Sequence, residues 1–218
     1  MASTTQSPSR KLQVDFSWKR FKGLITDAEA HAPDTSDNPE PLYIVHWNAV
    51  KSPHMTFKRP SDDCTIGTGT LHLVRINADY TVNGRSGTLV AQRRFKTLYT
   101  HESHAYADPE TGKPSTLTWT SDSGFTTWDF VCVDERQRPV AKYSAKIWGV
   151  KKIGYVEFMD DRELTQAMRD EIVVTGITLF YCMWLRVNNI FSLFGAALHR
   201  KEKDPGLAEG GADAGGTK

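Results

Sequence analysis

The chain has 218 residues, enough for one domain with tails, and its 27 Lys and Arg stand against 26 Asp and Glu. A net charge near +1 excludes a nucleic-acid binder that works by bulk charge and excludes an acidic tail protein, so any basic surface must be local. The three cysteines, Cys64, Cys132 and Cys182, are far apart and lack CxxC spacing, so neither a disulfide frame nor a zinc site is expected. Each sits in an apolar run, where buried free thiols are common, and this suits a reducing compartment.

In chain order, MASTTQSPSRKL lacks the apolar core of a secretory signal; a disordered tail through Arg10 is expected, with a transit peptide as the alternative. Residues 11–25, KLQVDFSWKRFKGLI, place Trp18, Phe21 and Ile25 on one face at helical spacing, with Lys19, Arg20 and Lys22 mostly elsewhere. This is either an interfacial amphipathic helix or, by preference, a segment packed across the domain. Residues 26–40 carry Asp27, Glu29, Asp34, Asp37 and Glu40, a linker composition, so residues 1–40 are expected to be a flexible N-terminal segment.

From Leu42 to Phe158 the pattern changes to short β-branched and aromatic runs, among them LYIVHW, TLHLVRI, FTTWDFVCVD and VAKYSAKIW. Asn83-Gly84 is a strong hairpin signal, and PETGKP, SDSGF and DERQRP read as further turns. Alternation puts Ala141, Tyr143, Ala145 and Ile147 on one side of a strand and Lys142, Ser144, Lys146 and Trp148 on the other. At about ten residues per strand and turn, the segment holds roughly ten to twelve strands.

Asp160 or Asp161 then offers an N-cap for a helix that runs into EIVVTGITLFYCMWLRV. Its uncharged core, Ile172 to Leu185, is fourteen residues, short of the roughly 20 that a membrane span needs. Thr175, Thr178, Cys182, Arg186 and Asn189 form one narrow polar or small seam, and apolar side chains cover much of the rest. So wide an apolar surface must be covered by protein or by lipid. A barrel of about twelve strands encloses more space than its own side chains fill, and a helix about 10 Å across suits that interior. The expected fold is therefore mainly β, a closed barrel around a central hydrophobic C-terminal helix at about 161–187. Membrane insertion and an oligomer interface are the alternatives. Residues 200–218, Gly-rich, are expected to be a disordered tail.

The order WTSDSGFTTWDFVCVDERQRPVAKYSAKIW, then GYVEF, then RDEIVVTGITLFYC resembles the tubby C-terminal-like superfamily, which includes the LURP-one-related proteins and the phospholipid scramblases. The resemblance covers about residues 41–199 and is nearest to a fungal branch. It implies a twelve-stranded barrel wrapped around a hydrophobic helix. It also implies non-enzymatic binding: tubby domains take phosphoinositide headgroups on basic surface residues, and scramblases are associated with membranes and calcium. No tubby basic motif maps here residue by residue, and no DxDxDG calcium loop is present.

The basic candidates are Lys142, Lys146, Lys151 and Lys152, with Arg93, Arg94 and Lys96 upstream. Lys142 and Lys146 are expected to point outward, about 13 Å apart along a strand. A headgroup phosphate needs several converging donors, which neighbouring strands can supply; an ordinary solvated exterior is the alternative. Other constellations are weaker. His101-Glu102-Ser103-His104 is one residue short of the zinc-helix spacing and looks like a turn, and His46, His54 and His72 read as structural. Gly67-Thr68-Gly69 lacks the third glycine and the helix of a dinucleotide loop. Gly84-Arg85-Ser86-Gly87 has the wrong spacing for a nucleophile elbow. Asp122, Asp129, Asp134 and Glu135 have no support as a hydrolytic pair.

These features predict a non-enzymatic binding or adaptor module without cofactor or metal, cytoplasmic and peripheral at membranes. Its expected partner is an anionic phospholipid surface or a protein, with no nucleic acid. A membrane-inserted scramblase-like protein is one alternative. A protein-interaction scaffold docking through Ile190–Leu198 or Trp18 and Phe21 is the other.

Overall fold

Twelve antiparallel strands close into one ring in the computed structural model, which describes residues 10–17, 21–29, 39–48, 50–72, 75–93, 96–123, 127–146 and 152–202. The strands are β1 (Lys11–Ser17), β2 (Lys22–Asp27), β3 (Tyr43–Trp47), β4 (Met55–Arg59), β5 (Cys64–Leu71) and β6 (Ala78–Val82). They continue as β7 (Arg85–Ala91), β8 (Leu98–Ser103), β9 (Ser115–Ser123), β10 (Thr127–Val133), β11 (Pro139–Lys146) and β12 (Lys152–Phe158). Each pairs with its sequence neighbours, and β1 closes the ring on β12 from Lys11↔Glu157 to Asp15↔Lys152. The helix α1 (Gln166–Glu202) follows. The chain divides into a barrel unit, Met1–Cys182, and a second unit, Met183–Lys218, in which the helix continues to Glu202.

The ring begins earlier than the sequence suggests. Residues 11–17 and 22–27 are strands, not a flexible segment or a helix, and Leu12, Val14 and Ile25 are core residues. The helical spacing of Phe21 and Ile25 is broken because Phe21 sits at a turn with φ 47°, its ring 57% exposed. Trp18, residues 1–9 and 203–218, and most of the acidic stretch (30–38) lie outside the described residues. Elsewhere the pattern holds. Asn83 (φ 49°) and Gly84 (φ 76°) make the two left-handed positions of the β6–β7 hairpin, and Ala141, Tyr143 and Ala145 are buried while Lys142 and Ser144 are not.

The helix is the barrel's filling. Every residue from Arg169 to Phe180 is buried, a pattern that requires cover on all sides. The cover comes from all round the ring. Tyr43 on β3 and Arg59 on β4 bond Asp170, Trp119 on β9 sits against Gly176, and Phe130 on β10 and Tyr143 on β11 hold the Phe180 ring. Val174 and Thr178, the second from the polar seam expected on the helix, pack on β5. A Cβ at Gly67 would lie 2.8 Å from Val174, and one at Gly69 would lie 2.5 Å from the Thr178 hydroxyl. The glycines of Gly67-Thr68-Gly69 thus admit the helix to the wall.

The helix starts at Gln166, five residues past Asp161. Thr165 caps it: its Oγ1 accepts the Met168 N–H at 3.3 Å. Asp160 is not the cap because its carboxylate is taken by Arg162, whose N–H and Nε donate to it at 3.0 and 2.7 Å. Among the described residues no helix is long and apolar enough to cross a membrane. All three cysteines are free; Cys132 and Cys182 are buried as expected, but Cys64, at the start of β5, is exposed.

Candidate functional site

Because the strands alternate in direction, the turns after β1, β3, β5, β7, β9 and β11 gather at one end of the ring. Most of the basic candidates belong to that end. Arg93 and Lys96 are exposed between β7 and β8, Lys146 is the last residue of β11, and Lys152 is the first of β12. Arg94 and Lys151 lie outside the described residues, as do the side chains of Lys146 and Lys152.

Lys142 stands apart from this rim. It lies mid-strand, and its Nζ is 3.0 Å from Asp129 on the neighbouring strand β10. Burial raises the Asp129 carboxyl, but hydrogen bonds from Lys142 and Ser144 outweigh it and hold the pKa below the usual carboxylate range. Lys142 is thus engaged with its own wall. The two basic groups do not converge either: β8, β9 and β10 separate the β7–β8 turn from β11. Arg93 and Lys96 therefore cannot close on one phosphate together with the β11–β12 lysines, and the rim presents a spread of charge.

A second feature was not expected. The β6–β7 ladder runs five pairs, from Ala78↔Leu89 to Val82↔Arg85, and the β8–β9 ladder runs six. Between β7 and β8 only Val90↔Thr100 and Ala91↔Tyr99 pair among the described residues. Continued, that register would set Thr88 against Glu102 and Gly87 against Ser103; instead the wall opens there into a cleft of about 440 Å³. Arg85, Ser86 and Glu102 are exposed at its lip.

On its floor are His101, with a fully buried side chain, and Glu171 of the helix, 4% exposed. Nε2 of His101 lies 3.3 Å from Oε1 of Glu171, close enough for an ion pair but not aligned as a hydrogen bond. Among the described residues both imidazole nitrogens and Oε1 lack a hydrogen-bonding partner, although the other carboxylate oxygen accepts the Ala105 N–H at 3.3 Å. Tyr80 covers them. Its ring packs edge-on to His101 at 5.7 Å, and its hydroxyl donates to the Glu102 main-chain carbonyl at 3.3 Å. Gly87, opposite Tyr80 on β7, makes this possible, since a Cβ there would lie 2.5 Å from the ring. Burial raises the Tyr80 hydroxyl pKa, and the carboxylates of Glu171 and Glu102 raise it further, so both carboxylates act on this space.

His101-Glu102-Ser103-His104 is therefore strand rather than turn through Ser103, with His101 facing in and Glu102 facing out. Among the described residues no His, Cys, Asp or Glu cluster is arranged to hold a metal ion. His54 and His72 are structural: Nδ1 of His54 accepts the Leu71 N–H at 3.1 Å, and Nε2 of His72 lies 2.7 Å from Asp79. Asp134 and Glu135 tie turns, through Arg138 and the Thr116 N–H respectively. Sequence reasoning missed the cleft because an unfinished ladder leaves no periodic signal; the nearest hint was Gly87 beside a histidine-bearing strand. No protein-family model, curated protein or solved structure matches this chain.

Proposed function

We propose that the protein is a non-enzymatic binding module that meets an anionic phospholipid surface with the rim carrying Arg93, Lys96, Lys146 and Lys152. The observation that carries this reading is the filled interior. With the helix buried from Arg169 to Phe180, binding belongs to the wall and the rims. The rim at the β7–β8 and β11–β12 turns is where the strand order places these four basic residues, on a chain of almost no net charge. Charge spread around a rim suits a surface of many phosphates better than one clamped headgroup. The closed ring around a helix is also the architecture that the tubby-like resemblance implies.

Flotation with vesicles of phosphatidylcholine, with and without phosphatidylinositol bisphosphate, tests it. Wild type should float with the anionic vesicles, less so at high salt. An Arg93→Glu/Lys96→Glu variant should remain in the bottom fraction. Lys142→Glu should float nearly as wild type, because that lysine is held by Asp129. Equal recovery of wild type and the rim variant would remove the idea and leave a protein partner, for which the exposed Phe21 at the same end is the first residue to test.

A further inference from the structure

We infer that the cleft between β7 and β8 is a second binding site, one for a small aliphatic diamine, with one ammonium group on the floor at Glu171 and His101 and the other at Glu102 on the lip. Buried polar groups in folded proteins nearly always have partners. Here a buried carboxylate oxygen and both nitrogens of a buried imidazole have none among the described residues, and the two residues that carry them line a cleft that reaches the surface.

The kind of group that fits follows from the atoms. A carboxylate accepts and does not donate, and a neutral imidazole offers one further acceptor. The Glu102 carbonyl holds only the long bond from Tyr80. With one ring nitrogen carrying the imidazole's own N–H, two of the three atoms, Oε1 and the other ring nitrogen, take a donor, and a primary ammonium brings three. Charge points the same way. Glu171 and Glu102 both bear on the space around the Tyr80 hydroxyl, and among the described residues the one ion pair of Glu171 is the unaligned contact with His101. Arg85, the arginine of the cleft, is exposed at its lip. An anionic ligand would meet both carboxylates. A metal ion would need a third ligand that the described residues do not bring together. The Tyr80 ring adds an apolar face on which an alkyl chain or a cation can lie. The volume is within the range of small-molecule sites. To reach Glu171 the ammonium displaces the Tyr80 hydroxyl from the Glu102 carbonyl, and at 3.3 Å that bond is long and weak.

Isothermal titration of the full chain with putrescine tests the site, with butanediol as the neutral isostere. Saturable binding of putrescine and none of the diol is expected. Glu171→Gln should weaken binding at least about tenfold, equivalent to about 1.4 kcal/mol. Glu102→Gln, on the exposed lip where folding is not at stake, should weaken it several-fold. Unfolding temperatures measured alongside separate lost binding from lost structure. No heat with putrescine, equal affinity for the diol, or wild-type affinity in the Glu102→Gln variant would overturn the inference. The diol result in particular would mean that the cleft takes solvent-like hydroxyls and has no need of a cation. None of these outcomes bears on vesicle flotation, so the two sites fail or stand separately.

Discussion

His54 shows how a single side chain ties two strand ends and makes them sensitive to acid. Its Nδ1 accepts the Leu71 N–H, which it can do only while that nitrogen is unprotonated. Burial lowers its pKa below the ordinary 6.5, and the nearby His72 lowers it further. The unfolded chain therefore takes up this proton first as pH falls, and the stability His54 contributes is present above about pH 6.5 and lost below it. His46 shifts the same way, through burial and then Lys22 and Lys58. Urea unfolding at a series of pH values should show the midpoint falling through this window. In His54→Gln, whose amide oxygen can still accept the Leu71 N–H, the fall should be shallower but not abolished, because His46 remains. Coincident pH profiles for the two proteins would show that His54 does not titrate on unfolding. None of this was visible in the sequence beyond the correct expectation that the histidine is structural; its partner lies across a turn that no local pattern announces.

The helix is held at its entrance by a polar cluster that an apolar-periodicity argument could not find. Asp170, buried inside the first turns, accepts from Tyr43 at 2.9 Å, from Gln166 at 2.7 Å and from Arg59 at 2.9 Å, and so links the helix to β3 and β4. Arg59 is partly exposed and also bonds Asp62 at 3.1 Å, so it does not depend on Asp170 alone. Asp170→Asn should then cost about 2–3 kcal/mol, the worth of hydrogen bonds to charged groups, and less than the 3–5 kcal/mol lost when a fully buried pair is broken. Denaturant midpoints at constant slope measure it; a change below about 0.5 kcal/mol, the level of a surface substitution, would show that the cluster merely decorates the helix. The start of this helix was misplaced from sequence for the same kind of reason. Asp160 and Thr165 are both good caps by residue type, and only the Arg162 side chain, folded back onto Asp160, decides between them.

At the scale of the molecule, the barrel and its helix form one core, and neither has an alternative cover for its apolar surface. Trp119, Phe57 and Phe130 from the wall are as fully buried as Ile172, Val173 and Val174 from the helix. Amides from Ile172 to Phe180 should therefore exchange with deuterium only through global unfolding, with the free energy obtained from denaturant melts. Faster exchange there than in β9 and β10 would mean that the helix leaves the barrel on its own. This architecture was legible because its signals are long and redundant: many short strands with period two, one strong hairpin turn, and a helix too apolar for any surface. The first two strands were not legible. Their alternation is brief and interrupted at Phe21, and the bases around it invite a helical reading.

The joint between β7 and β8 has a consequence for how the ring can be cut. Every other neighbouring pair of strands is joined by four to seven residue pairs among the described residues, and this one by two. A circular permutant with new ends between Ala91 and Leu98 would sever the chain where the hoop is already nearly open, and the ten remaining hairpins would keep its curvature. The shortest seam among the described residues is thus the ring's most forgiving place for re-engineering.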